Sequence, residues 1–359
     1  MVTAVAVGDV ERGARQGPSP ASERPPRWRR VRILAVVASV AAAGVTGLRR
    51  YNHGRNNAAN NISNHGLDGC HAPFPVRLWS HGHVPLAKPN LEDAGHAPFL
   101  MAYVPQASAS VGTSVVIAPG GDYWDVNTKG EGTPYAQWLC AQGVASYVLQ
   151  YRGDSIGYHA PVPELDAKRA IRVVRNRLRP SIDDIFKVGL IGSSAGGHLA
   201  ATVLAFNDDG NADAADPIER KSSRPDFGVL VYPIITMEDG ATHAVSKTNL
   251  FGPGLSAKQT QNLTRHYSIE KHVSKSFPPT FLFHTEDDDV VSVENAFRMD
   301  DALRAAGVYR QVDIYESGPH AQGLGEGSVV TDEGELLHGH PWTRRSLDFL
   351  SKLGMLGRR

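Results

Sequence analysis

Cysteine is scarce in this chain: two among 359 residues, Cys70 and Cys140, which is too few for a disulfide framework. Cys140 lies in the apolar helical run YAQWLCAQG and reads there as a small core residue. A single Cys70–Cys140 bridge is the alternative open to an exported chain. An excess of either charge is missing too. The 37 basic and 37 acidic residues cancel, so no global field attracts nucleic acid or an anionic substrate, and nucleic acid is not an expected partner. Metal-ligand spacing is also lacking. His81 and His83 stand two apart with no third ligand type nearby, and NDDGNAD (207–213) has calcium-loop flavour without the later glutamate, so both read as polar loops. Neither a metal nor a cofactor is expected. The apolar run Ile33–Leu48 stops at 16 residues, short of the ~20 that a bilayer span requires.

That short run is better suited to a signal segment. RWRRVR ahead of it supplies four arginines, and the A-x-A-like site at Ala41–Ala43 leaves a hydrophobic stretch of ordinary signal length. The expectation is export, to a periplasm or outside the cell. An uncleaved membrane anchor through residues 33–48 is the second reading, and an amphipathic or mis-started N-terminus the third. Residues 1–50 thus divide into a basic tail, disordered through Trp28, and the signal or anchor segment. Residues 51–77, rich in Asn, His and Gly, read as a linker, and 78–359 as the folded domain.

Within that domain, 41% hydrophobic composition supports a substantial core. FLMAYV, SVVIAP and ASYVLQY read as strands, as do FGVLVYP, TFLFH and YRQVDIYE later in the chain. Thr133-Pro134 is an N-cap and first-turn pair opening a helix over 135–142, and further helices are expected over 162–178, 198–205, 293–306 and 342–353. The fold class is α/β, a mostly parallel sheet with helices on both faces. Two stretches interrupt the alternation: the acidic loop 207–224, and 236–276, whose helical signals suit an insertion over a site.

The stretch VGLIGSSAGGHLA (188–200) organises the rest. Gly192, Ser194 and Gly196 spell G-x-S-x-G between a strand and a helix, which presents a serine hydroxyl on a tight, exposed turn. Flanking glycines remove Cβ atoms that would clash, and the following helix points N–H groups at the reacting centre. Ser193 is the competing hydroxyl, but its flanking positions are Ile191 and Ala195, so the register selects Ser194. A serine needs a histidine to take its proton, and the histidine needs a carboxylate. His320 follows the last strand in IYESGPHAQG; Asp287, Asp288 and Asp289 follow the strand before it, with Asp288 at the fitting spacing from His284. Gly120, Gly121 and the N–H of Ala195 are the candidate oxyanion donors. Asp122 places a carboxylate in that loop. It is expected to turn away from Ser194 and to tie the loop near Trp124 and Asp125 by accepting backbone N–H groups.

PGGDYW, WLCAQGVASYVLQYR, IGSSAGGHLAA, RPDFGVLVYPIITM, PPTFLFHTEDDDVVSVEN and YESGPHAQGLG occur in this order, and together they resemble the acetyl-esterase/lipase branch of the α/β-hydrolases, in particular the acetyl xylan esterase-like group, often labelled xylanase-like. The resemblance covers roughly residues 78–353. It implies a metal-free serine esterase removing short acyl groups, acetyl above all, from a small ester or an acetylated carbohydrate. It places Ser194, Asp288 and His320 on the triad and Gly120, Gly121 and Ala195 on the oxyanion hole. Departures stand at Asp122, Ser193, Ser292 and Ala321-Gln322, where the group usually has a third glycine, an aromatic, a proline and a Gly-Phe pair. A lipase or carboxylesterase of other specificity, and a prolyl-oligopeptidase-like peptidase, are the alternative activities; the short N-terminal region leaves little room for a peptide-selecting domain. A non-catalytic binding protein on this fold would not require Ser, Asp and His together.

Overall fold

Side chains that alternate between two cores along each central strand decide the architecture. In β3 (Thr113–Ala118), Val116 and Ala118 face one core while Val115 and Ile117 face the other. β6 (Phe227–Val231) and β7 (Thr280–Thr285) divide in the same way, Leu230 and Leu282 against Val229, Val231, Phe281 and Phe283. Strands apolar on both faces must be covered on both, as in a parallel α/β sheet. The computed structural model describes residues 69–92, 95–177, 186–331 and 335–356. The tail, the segment 33–48 and its expected cleavage site lie outside the described residues.

The sheet has eight strands in the order β1-β2-β4-β3-β5-β6-β7-β8. β1 (Phe74–Arg77), β2 (Phe99–Tyr103) and β4 (Ala145–Gln150) pair antiparallel in that sequence. From β4 through β3, β5 (Lys187–Ser193), β6 and β7 to β8 (Arg310–Tyr315), every pair is parallel. β1 falls inside the stretch 51–77 that composition marks as a linker, so the sheet begins ahead of residue 78. A two-stranded ladder, β9 (Val329–Val330) with β10 (Leu336–Leu337), lies apart from this sheet.

Among the described residues, α1 (Thr128–Glu131) and α2 (Thr133–Ala141) follow β3, α3 (Val162–Arg177) follows β4, and α4 (Ser194–Phe206) follows β5. The insertion supplies α5 (Ala244–Phe251) and α6 (Ala257–Tyr267); α7 (Glu294–Ala305) and α8 (Pro341–Lys352) come later. Ala170 of α3, Leu199 of α4 and Met299 of α7 pack on one face of the sheet; Trp138 of α2 and Trp342 of α8 pack on the other, with ring centroids 5.8 Å apart. α2 starts one residue earlier than its capping signal implied. Gly132 is the N-cap, and the Thr133 hydroxyl lies 3.1 Å from the Tyr103 hydroxyl instead of capping the helix.

The cysteines are paired. Cys70 and Cys140, 70 positions apart and with Cα atoms 6.3 Å apart, form a disulfide joining the start of the domain to α2, so Cys140 is buried as half of a cystine and not as a free core thiol. Sequence gives little warning of such a pair, because no local pattern links positions this distant. Closing a loop of that length restricts the unfolded chain by roughly 4 kcal/mol in the chain-entropy treatment. Cys70→Ser should therefore lower the unfolding free energy by about 2–4 kcal/mol in urea titrations, and dithiothreitol should do the same to the wild type. A change below about 0.5 kcal/mol in both would show that the bridge is not formed in solution.

Candidate active site

The strand-to-helix junction imposes a left-handed turn on Ser194, whose φ is +53°, a conformation rare for residues with a Cβ and concentrated at functional sites. Glycines make the turn sterically feasible. A Cβ on Gly192 would come within 2.1 Å of the Gly196 carbonyl oxygen, and one on Gly196 within 2.1 Å of the Ala118 oxygen. Ser194 is more enclosed than a bare turn suggests, keeping 4% of its surface accessible. Ser193 is engaged elsewhere: its hydroxyl donates to the Tyr135 hydroxyl at 3.1 Å.

The loops after β7 and β8 bring the other two candidates to Ser194. His320 Nε2 lies 2.9 Å from Ser194 Oγ, and His320 Nδ1 lies 2.7 Å from Asp288 Oδ2. Asp288 Oδ1 accepts the backbone N–H groups of Val290 and Val291 at 3.0 and 2.8 Å. Burial opposes charge on Asp288, but the bond from His320, those backbone donors and the electrostatic attraction of the imidazole outweigh it and hold the carboxyl below its ordinary value. A carboxylate accepts, so His320 Nδ1 carries hydrogen and Nε2 is left as the acceptor facing Ser194. Asp287 does different work, accepting the Gly318 N–H at 2.8 Å and fixing the loop that carries His320.

The oxyanion loop departs from expectation at two positions. Gly120 donates its N–H to Glu131 Oε2 at 2.7 Å, so that N–H points into the protein and not toward a substrate oxygen. Gly121, at φ +125°, follows it, and its backbone cannot carry a Cβ, which would sit 2.1 Å from the Asp125 carbonyl oxygen. The turn beyond is closed by the Gly121 carbonyl, which accepts from Trp124 and Asp125, and not by the Asp122 carboxylate. Asp122 instead reaches the insertion: its carboxylate lies 3.4 Å from Ser246 Oγ and 3.5 Å from His243 Nδ1, and its carbonyl accepts from Asn249 Nδ2 at 2.9 Å. The insertion 236–276 thus packs against the loop beside Ser194. Its partners lie 124 and 127 positions away, beyond the reach of local turn chemistry.

A further buried group that motif spacing did not single out holds this loop. His198, fully buried on α4, lies 2.7 Å from the Tyr267 carbonyl through Nε2 and 2.7 Å from the Tyr123 hydroxyl through Nδ1. The carbonyl accepts only, so Nε2 carries the hydrogen and Tyr123 donates to Nδ1. Its position, one helical turn after Ser194, is the sequence signal that would have found it. Burial pushes the His198 imidazole down to about 4, against the opposing bond to Tyr267. An unfolded histidine titrates near 6.5, so between pH 6.5 and 4 the unfolded state binds a proton that the native state refuses. Stability is lost as pH falls through that window, by on the order of 3 kcal/mol. In His198→Gln, urea midpoints measured from pH 7 to 4 should fall less steeply than in the wild type; equal slopes would rule this out.

A cleft of about 580 Å³ opens beside the oxyanion loop, lined by Gly121, Asp122, Trp124, Asn127, Val245 and Asn249, with Trp124 exposed at its mouth. A larger cavity of about 750 Å³ lies against α3, between Trp79 and the loop 207–224. Its charged walls are already paired, Arg172 with Glu219, and Asp216 and Glu219 with the neighbouring Arg169, so it reads as a structural seam. Among the described residues no helix is long and apolar enough to cross a membrane.

Comparison with known proteins matches this arrangement to esterases. A family model described as BD-FAE matches residues 100–303. The acetylxylan esterase of Xylanibacter ruminicola is 31% identical over 241 residues, 66% of this chain and 46% of that one. Endo-1,4-beta-xylanase B of Butyrivibrio fibrisolvens is 34% identical over 216 residues, 58% of this chain and 32% of that protein. The chain therefore spans about a third to a half of the length of these curated relatives. Among solved structures, the acetyl ester-xyloside bifunctional hydrolase from Caldicellulosiruptor lactoaceticus superposes with a TM-score of 0.68 at 33% identity, covering 79% of this chain and 97% of that one.

Proposed function

This chain belongs to the BD-FAE family of α/β-hydrolase esterases, and on that premise we propose that Ser194, His320 and Asp288 hydrolyse short-chain acyl esters, acetyl above all, carried on carbohydrate. The observation that carries the reading is His320 bridging Ser194 and Asp288 at 2.9 and 2.7 Å. In this scheme the Ser194 hydroxyl attacks the ester carbonyl while His320 Nε2 takes its proton, and Asp288 holds the imidazolium and its tautomer. With Gly120 engaged by Glu131, the N–H groups of Gly121 and Ala195 are the pair assigned to the negative oxygen, assisted by the dipole of α4. His320 then protonates the departing alcohol, leaving an acyl-serine. Water, deprotonated by the same histidine, attacks the acyl carbonyl and releases the acid and free Ser194.

Acetyl specificity and a polysaccharide alcohol are supported by the names of the relatives, an acetylxylan esterase and an acetyl ester-xyloside hydrolase, and by the open cleft beside Gly121. The test is a panel of nitrophenyl acetate, butyrate and octanoate beside acetylated xylan, with a fluorophosphonate probe to locate the nucleophile. Acetate should give the highest kcat/KM, xylan should release acetate, and the label should sit on Ser194. Octanoate preferred over acetate, or label on another residue, would overturn the corresponding part. Export belongs to the same proposal: the Cys70–Cys140 disulfide suits an oxidising compartment, and residues 33–48 would supply the signal. N-terminal sequencing of the secreted form should begin near Gly44; an intact Met1 on cytoplasmic protein would contradict it.

A further inference from the structure

Glu131 closes α1 as a carboxylate with 1% of its surface accessible. Its two oxygens face opposite ways. Oε2 accepts the N–H of Gly120; Oε1 accepts the Tyr232 hydroxyl at 2.9 Å. A Cβ on Gly120 would lie 2.6 Å from Glu131 Oε2 and 2.9 Å from Ser194 Cβ, so carboxylate, loop and serine are packed against one another. On the far side, the Tyr232 oxygen accepts the N–H of Gly323, three residues after His320, and its ring stands edge-on to the His320 ring with centroids 5.1 Å apart.

The hydrogens can be assigned. Ser193 donates to the Tyr135 hydroxyl. Tyr135 lies 3.3 Å from the Tyr232 hydroxyl, and Tyr232 lies beside Glu131. Burial raises the Glu131 carboxyl, against the bonds from Tyr232 and Gly120 and the attraction of His320, which favour its charge. With Glu131 ionised, each hydroxyl donates to the next, Ser193 to Tyr135 to Tyr232 to Glu131, and no member is left with two hydrogens facing. One carboxylate then terminates a chain touching the loop before the oxyanion donors, the residue beside the nucleophile, and the segment after the base.

We propose that Glu131 is a positioning residue, the buried anion to which the oxyanion loop and the His320 loop are both tied, and whose charge supports the imidazolium that forms on His320 during acyl transfer. The proposal rests on the reading of Ser194, His320 and Asp288 as the reacting centre. The groups facing this pair are Asp288 and His284 on the His320 side, and Asp122, Tyr135, Tyr151 and Tyr232 around Glu131. Asp288 is bonded directly to the imidazole; Glu131 acts through the Tyr232 ring and the low-dielectric interior between them.

A negative charge near an imidazole raises its affinity for a proton, so its removal moves the acid limb of the kcat/KM profile to lower pH. In Glu131→Gln the nitrophenyl acetate kcat should fall about 10- to 100-fold with KM within about threefold, and the acid limb should shift down by about half a pH unit. Glu131→Asp keeps the charge and shortens the reach, so its kcat should fall while its acid limb stays at the wild-type pH. Tyr232→Phe, which cuts the chain but leaves the carboxylate, should lose kcat about 5- to 20-fold with KM unchanged, and decides the matter if neither Glu131 variant folds. Wild-type kcat in Glu131→Gln, or in Tyr232→Phe, or a loss confined to KM, overturns the proposal. Ser194→Ala run alongside separates the two readings. If it is inert while Glu131→Gln is normal, this inference alone falls; if it remains active, the assignment of the centre falls as well.

Discussion

Ser194→Ala should lower ester hydrolysis by about 10⁴-fold or more in kcat, with substrate affinity and the unfolding midpoint close to wild type. The expectation of an unchanged fold follows from the turn itself. Alanine has the same Cβ as serine, so the cost of φ +53° is already present in the native chain and the substitution adds none. What disappears is one hydroxyl whose partner is His320 Nε2. Removing a nucleophile leaves whatever binding and the oxyanion donors supply, typically a small residue of the original rate. Hydrolysis of nitrophenyl acetate, followed beside circular dichroism in urea, checks both halves. Activity within tenfold of wild type would remove Ser194 from the mechanism.

Asp288→Asn should cost at least ~10³-fold, and the geometry gives the reason. Two backbone N–H groups, from Val290 and Val291, already point at Oδ1. An asparagine must keep its oxygen there, which turns its NH₂ toward His320 Nδ1. The imidazole then has to accept at Nδ1 and carry its hydrogen at Nε2, facing Ser194 with a donor where an acceptor is needed. Asp287→Asn has no such conflict, since its oxygen can still accept from Gly318, and should cost less than about 30-fold. Steady-state kinetics of the two variants decide the assignment. A larger loss at position 287 than at 288 would reverse it.

The sheet, the turn at Ser194 and the trio Ser194, Asp288 and His320 are written locally: in alternating apolar strands, in glycines whose Cβ atoms have no room, and in side chains at the carboxyl ends of successive strands. Such features are legible because each depends on a few neighbouring residues. The groups that escaped are those defined by contacts across the fold. Glu131 belongs to no motif, and Tyr232, which donates to it, lies 101 positions later. Asp122 follows ordinary turn chemistry in isolation, and finds Ser246 and Asn249 because the insertion settles on the loop. Gly120 reads as a donor from its place after β3, and nothing near it in sequence indicates that its N–H is already bonded.

The bridge at Cys70 also bears on how the molecule can be made. β1 is the outermost strand on its side of the sheet, with Phe74 exposed, and Cys70 lies just ahead of it. In a reducing cytoplasm that strand would be held by its ladder to β2 and a few neighbouring backbone bonds, including Gln106 N–H to the Gly69 carbonyl. Were it to peel away, β2 would present an unpaired apolar edge, a template on which another copy can dock strand to strand. Yield of soluble protein should therefore depend on the redox state of the producing compartment, with an oxidising host giving soluble protein and a reducing one giving inclusion bodies.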